Sequence, residues 1–337
     1  MPVQVGAAGA GPEPDVGGVE GAPQCVGLEP ERLPGRHVTK VHIPAFAVLS
    51  PDRYRLDDGS NHVGNRRTGQ RKQGQDMSAP AVDQREVLER YDADGYMIFR
   101  NVIDPELINE VNAHVEWLQA RHPELRPEQL GHVLMQNDPF WVRLISDDRL
   151  LDIAQLFVGP DIALFASHYI CKPAYSGQPV LWHQDGAFWP LEPMEVVTLW
   201  LAVDASTPEN GCVRLVPGTH KHDVAGMRDN TDVESVLGKE IAVDVEEDKA
   251  VDVVLAPGDV EVHHPHIVHG SNANTSPHRR CGLTIRYIPT TTRIVSDELP
   301  WASAFLLRGE PGVNPYQPKP TYIPGEHLAF RGCEEWS

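Results

Sequence analysis

The chain has 337 residues, is 41% hydrophobic and carries a formal net charge of −19. That length holds one large domain or two ordinary ones with a real apolar core. The acidity excludes the clustered Lys and Arg that a nucleic-acid partner or an anionic lipid surface requires.

Residues 1–76 are rich in Gly, Pro, Arg and Gln and show no sustained periodicity. Such a segment buries too little apolar surface to offset its ordering entropy, so it is predicted to be disordered. Foldable sequence begins at Met77, which leaves the preceding stretch as either a mis-assigned translation start or a regulatory tail; residues 77–337 form the folded domain. Asp83 caps a helix carrying Val87, Leu88 and Tyr91, and Gly95 stops it. Tyr96–Phe99 reads as a strand. Asp104-Pro105 starts a second helix, with Pro at its first position, and Leu107, Ile108, Val111, Val115 and Leu118 follow at helical spacing until Pro123. A third helical region spans Pro139–Phe157, broken near Ser146 and ended by Gly159.

After Gly159 the pattern changes to short β-rich runs: Ile162–Cys171, Val180–Gln184, Val196–Val203, Cys212–Val216, Val251–Leu255, Asp259–His264, Ile267–Ser271 and Arg280–Ile288. Turn signals at Ser176-Gly177, Asn210-Gly211, Pro217-Gly218 and Pro257-Gly258 separate them. Helices first and then strands predict a mainly β fold, a closed or sandwiched antiparallel barrel with a helical buttress. The five cysteines, Cys25, Cys171, Cys212, Cys281 and Cys333, are odd in number and contain no CxxC pair. They predict neither a disulfide framework nor a structural zinc site, and reduced thiols point to the cytoplasm. No apolar run approaches the roughly 20 residues of a membrane helix, and no basic-then-apolar leader is present.

Trp182-His183-Gln184-Asp185 falls on one of these strands. Residues two apart on a strand share a face, so His183 and Asp185 project together, within reach of one ion. A third ligand is expected from a distant strand that closes the barrel opposite them, and His263, His264, His266 and His269 are the candidates. Two imidazoles and one carboxylate make the face on which non-haem iron(II) leaves positions open for a keto acid and O2. Arg280, eleven residues past His269, suits the far carboxylate of 2-oxoglutarate, because a guanidinium holds both oxygens in parallel. Ser271 shares a strand face with His269 and offers a hydroxyl to the same carboxylate. Arg279 points to the other face, while Arg286 shares the face of Arg280 further along the strand.

These segments resemble the phytanoyl-CoA dioxygenase family of iron(II)- and 2-oxoglutarate-dependent oxygenases. The likeness runs from Tyr91-Asp92-Ala93-Asp94-Gly95-Tyr96 through Lys172-Pro173, the His183–Asp185 segment and Asn210-Gly211-Cys212 to Val216-Pro217-Gly218-Thr219-His220, His269-Gly270-Ser271 and Arg280. It implies a double-stranded β-helix (a jelly-roll, cupin-like core) and selects His269 as the third ligand. It further implies hydroxylation of a small organic molecule, driven by O2 and by decarboxylation of 2-oxoglutarate to succinate. A carboxylate at position 185 argues for oxygenation over halogenation, since related halogenases carry a small residue there. The resemblance also marks Lys172 as a positive charge near the keto acid, and Trp189 and Phe188 as a wall of the substrate pocket. Ala166 stands where ectoine hydroxylases of this family have a glutamine, which argues against ectoine as the substrate. Desaturation, epimerisation or ring formation would use the same ligands. A metal-binding barrel without catalytic function would have no need of the Arg280–Ser271 clamp. His263, His264 and His266 are expected to pack or hydrogen-bond around the site.

Overall fold

Four aspartates decide where the main helices begin. In the computed structural model, which describes residues 47–48, 83–295 and 304–337, helix α1 (Gln84–Asp94) starts where the Asp83 side chain accepts from Arg85 N. Helix α2 (Pro105–Arg121) starts where Asp104 accepts from Leu107 N. Helix α3 (Pro139–Ile145) is capped by Asp138, and α4 (Asp148–Val158) by Asp147. Each cap satisfies a backbone donor that the first turn leaves unpaired. Gly95, left-handed at φ 83, ends α1, Ser146 separates α3 from α4 as the sequence predicts, and Gly159 ends α4.

The strands form two antiparallel sheets. The larger is built from β1 (Tyr96–Arg100), β2 (Ile162–Lys172), β4 (Val197–Ala202), β7 (Val260–His263), β9 (Arg280–Pro289) and β10 (Phe305–Arg308), in the order β1-β7-β4-β9-β2-β10. The smaller is β6-β5-β8-β3, from β3 (Val180–His183), β5 (Val213–Val216), β6 (Val251–Asp252) and β8 (Val268–Ser271). Two facing sheets with this strand distribution form the expected double-stranded β-helix. All eight predicted β runs are strands, each within three residues of its expected ends. Strand β10 and a hairpin made by Met227–Asp229 and Lys239–Ile241 were not expected. Ala47–Val48 pairs with Phe99 and Arg100 at the edge of the large sheet; the remainder of the expected disordered segment, residues 1–76, lies outside the described residues.

Period-two alternation divides β9. Leu283, Ile285 and Tyr287 face the helices and join Leu107, Val111, Val115 and Leu118 in the main core. Each such side chain, fully buried, stabilises by roughly 1.5–3 kcal/mol. Arg280, Thr284 and Arg286 face the other way, into the space between the sheets. Strand β2 would alternate likewise, but its register shifts: Arg286 pairs with Ala166 and Tyr287 with Leu164, so Phe165 is bulged out of the ladder. Phe165 and Ala166 therefore both line the inner space. On the outer face Cys171 and Cys281, directly opposite across β2 and β9, are joined by a disulfide. This corrects the expectation that all cysteines stay reduced; the two lie 110 residues apart in sequence, and only strand register brings them together. Cys212 and Cys333 are free.

Candidate functional site

Between the sheets lies a cavity of about 340 Å³. His183 ends β3, and His269 lies directly opposite it on the hydrogen-bonded neighbour β8, with ring centroids 4.0 Å apart. The third expected ligand thus comes from the adjacent strand, not from one across the barrel. Asp185 is also placed differently: it opens a 3₁₀ turn (Asp185–Ala187) just past the strand end. Gln184 keeps an extended backbone at φ −120 and ψ 121, so the alternation continues through it and the Asp185 carboxylate still turns inward. Asp185 Oδ1 lies 3.5 Å from His183 Nε2 and 4.0 Å from His269 Nε2. One donor atom from each of the three residues falls within 4.8 Å of the others, among the described residues the one such buried group.

Both imidazoles are oriented by their own strands. Nδ1 of His183 lies 2.8 Å from Leu181 O, and Nδ1 of His269 lies 3.0 Å from Ile267 O. A carbonyl accepts only, so each Nδ1 carries the proton and each Nε2 presents a lone pair to the shared space. Burial, then His183 and His263, hold the His269 imidazole well below its ordinary range, and therefore neutral. Burial alone would raise the Asp185 carboxyl, but Arg286 first, with His183 and His263, outweighs it and holds it well below the usual range. Two neutral nitrogens and one ionised carboxylate are the donor set that suits iron(II) with open positions, so these residues fit the expected metal.

Arg280 lines the same cavity, and Lys172 lies behind its Ser271 wall. Arg280 is buried; its Nε and Nη2 donate to Gly211 O at 3.0 and 2.7 Å, and its guanidinium stacks over Trp200 at 5.2 Å. This gives the Asn210-Gly211 pair a physical reason. Asn210 closes a capped turn with Thr207, and left-handed Gly211 (φ 78) follows it with its carbonyl on Arg280. A Cβ at Gly211 would collide with Asn272 O. Lys172 faces Arg280 across the ladder, and its Nζ donates to Ser271 Oγ at 2.7 Å and to the carbonyls of Ser271 and Asn272. Burial, and secondly Arg280, push the Lys172 ammonium down to about 6. Phe188 and Trp189 line the cavity as expected, Trp189 against Phe165 and under the Arg286 guanidinium. Arg279 pairs outside with Asp204 at 2.8 Å.

Glu261, Thr198 and Glu128 were not singled out by the sequence, and His263 was expected only to pack or hydrogen-bond around the site. His263 Nδ1 donates to Glu261 Oε2 at 2.9 Å, and its Nε2 lies 3.6 Å from Asp185 Oδ2. Burial would lower this imidazole, but Glu261 and Asp185 together raise it to about 9. Thr198 reaches Asp185 Oδ2 at 3.5 Å. Glu128, from a 3₁₀ turn, lines the cavity with Oε2 unpartnered. Only the alternation of β7 hinted at Glu261 and His263; nothing local marked the other two. His264 meets His266 edge-on and His220 at a tilt, with centroids 5.1 and 5.2 Å apart, and none of the three belongs to the group of metal ligands.

A β-sandwich that aims two imidazoles and a carboxylate at one point, with a buried guanidinium on the same cavity, defines a mononuclear non-haem iron oxygenase. Residues 91–282 match the phytanoyl-CoA dioxygenase (PhyH) family, and the chain belongs to it. It is 24% identical over 228 residues to an ectoine dioxygenase of Stutzerimonas stutzeri, covering 60% of this chain and 76% of the relative. It is 34% identical over 150 residues to a probable alpha-ketoglutarate-dependent hypophosphite dioxygenase of Stutzerimonas stutzeri, covering 43% of this chain and 51% of that one. Among solved structures it resembles the apo form of the non-heme monooxygenase ThoJ, with a TM-score of 0.60 and 26% identity over 69% of this chain and 87% of the other. No helix among the described residues is long and apolar enough to cross a membrane.

Proposed function

We propose that the protein is an iron(II)- and 2-oxoglutarate-dependent dioxygenase that hydroxylates a small organic molecule and releases succinate and CO2. The observation that carries this reading is the sharing of one cavity by His183, Asp185 and His269 with Arg280 and Ser271, Lys172 standing behind Ser271 Oγ at 2.7 Å. A structural metal site would have no use for two buried cations beside it.

In this reading His183 Nε2, His269 Nε2 and Asp185 Oδ1 hold the iron. The bound metal supplies O2 activation coupled to cosubstrate decarboxylation. Arg280 and Lys172 bind the far carboxylate of 2-oxoglutarate, with Ser271 Oγ between them. Its negative charge returns Lys172 to the ammonium form, for which three acceptors already stand in place. Trp189 and Phe188 wall the substrate side, and Phe165, Ile170, Val213 and Val236 keep water from the reacting centre. A small-molecule substrate, as the ectoine dioxygenase relatives have, completes the reading, and the net charge of −19 speaks against a nucleic-acid or anionic-membrane partner.

The test is anaerobic. Iron(II) is added to metal-free protein, 2-oxoglutarate is titrated, and the visible charge-transfer band of the keto-acid chelate is followed. A saturable band is expected; metal binding without a band would leave a metal-binding barrel and remove the oxygenase.

A further inference from the structure

Arg286 is a largely buried cation that supports Asp185 but to which the proposed chemistry assigns no ligand. It lies on the cavity face of β9, six residues beyond Arg280, with 11% of its side chain exposed. Its Nη1 donates to Thr284 Oγ1 and to His168 Nδ1, both at 2.9 Å. The edge formed by Nε and Nη2 is the one that receives an oxyanion side-on. There Nε has no hydrogen-bond partner, and Nη2 has only a loose 3.7 Å approach to Asp185 Oδ2. Trp189 covers one face of the guanidinium at 5.1 Å, while Phe165 and Ala166 line the cavity beside it.

The other charged groups around this cavity have partners or an assigned role. Glu261 answers His263 at 2.9 Å. Glu128 pairs with Arg126 at 3.1 Å, and in the proposed reading Lys172 and Arg280 face the cosubstrate. Asp185, the one carboxylate beside Arg286, is given to the metal. That leaves one positive charge, desolvated and with an open bidentate edge, on the substrate side of the cavity.

We infer that the substrate carries an oxyanion, a carboxylate or its phosphonate or phosphinate equivalent, that docks on the Nε–Nη2 edge of Arg286 against the face of Trp189. The inference rests on the oxygenase reading and narrows its substrate class. Because Arg286 sits beside a metal ligand, the anion anchors the substrate close to the metal, and the oxidised carbon lies within a few bonds of it.

Matched acids and primary amides test it: propionate, cyclohexanecarboxylate and indole-3-acetate with their amides, titrated by ligand-observed NMR onto zinc(II)- and 2-oxoglutarate-loaded protein. At least one acid is expected to bind ten times more tightly than its amide. Arg286→Met should abolish that preference, and Arg286→Lys, which keeps a positive charge beside Asp185 but not the two-pronged edge, should weaken it while the anaerobic iron(II)–2-oxoglutarate band persists. Equal affinity within every pair, no binding by any acid at millimolar concentration, or an unchanged preference in Arg286→Met overturns the inference. Loss of the band in Arg286→Lys, where the charge beside Asp185 is kept, also overturns it, by assigning the Arg286 guanidinium to the cosubstrate. Absence of the band in the unaltered protein is a different failure, that of the oxygenase reading, and takes this inference with it.

Discussion

Replacing Arg280 by Met keeps most of the apolar stem and removes the guanidinium from a position where it is 1% exposed. Truncating one partner of a buried, hydrogen-bonded charge pair costs about 2–5 kcal/mol of binding. Lys172 Nζ and Ser271 Oγ, 2.7 Å apart, remain to hold the 2-oxoglutarate carboxylate, which places the loss in the lower half of that range. About 2–3 kcal/mol corresponds to a dissociation constant raised roughly 30- to 150-fold. The Gly211 carbonyl loses its two donors at the same time, which lowers stability by about 1–3 kcal/mol. The assay is the anaerobic charge-transfer titration on iron(II)-loaded protein, with thermal unfolding of the metal-free protein alongside. Metal affinity should be unchanged, because Arg280 touches none of the three ligands. A 2-oxoglutarate affinity within twofold of the unaltered protein would refute the assignment and move the clamp to Arg286.

His183→Ala and His269→Ala should each abolish iron(II) retention through gel filtration; full occupancy of either variant by metal analysis would remove that residue as a ligand. Lys172 titrates at about 6 in the folded protein against an ordinary 10.5, so the unfolded chain holds the extra proton between those values. Its contribution to stability is accordingly complete above 10.5 and is lost as pH falls towards 6. Since 2-oxoglutarate favours the ammonium, its binding at pH 7.5 should take up a proton and weaken as pH rises; calorimetry in buffers of differing ionisation enthalpy reads this, and no uptake would mean that Lys172 is already charged. Gly282→Ala would drive a Cβ into the Trp200 ring on which Arg280 rests; overpacking of about 1–3 kcal/mol and a weaker charge-transfer titration are expected, and a neutral result in both would show that the ring can yield. A chain beginning at Met77 should unfold in one cooperative transition and keep the band; aggregation would mean that the preceding segment, in which Ala47–Val48 extends the large sheet, is needed.

The helices were legible because their ends are chemical: Asp83, Asp104 and Asp138 cap, Gly95 stops, and apolar spacing does the rest. The strands were legible as β-branched and aromatic runs between turn residues. The hairpin at Met227–Asp229 and Lys239–Ile241 was not, because it lies largely on the surface and shows no alternation. At the site, His183 and Asp185 could be read from two-residue periodicity, and Arg280 from its distance to His269. Arg286 was visible as a residue on the correct face, but what it touches depends on the bulge at Phe165, which brings Ala166 opposite it. Glu128 and the Cys171–Cys281 bridge belong to the same class: each depends on the pairing of segments far apart in the chain, which no local pattern carries.

The two imidazoles take their aim from carbonyls two residues back in the same strands, Leu181 and Ile267. Asp185 instead leans on Thr198, His263 and Arg286, which belong to three separate strands. The centre is therefore built from parts of unequal autonomy. The histidine pair is written into one ladder of the small sheet and would survive extensive redesign of everything around it. The carboxylate is negotiated across the whole sandwich. Drift in the large sheet would reach the metal through Asp185 first, making that position the point at which the centre can be retuned without dismantling it.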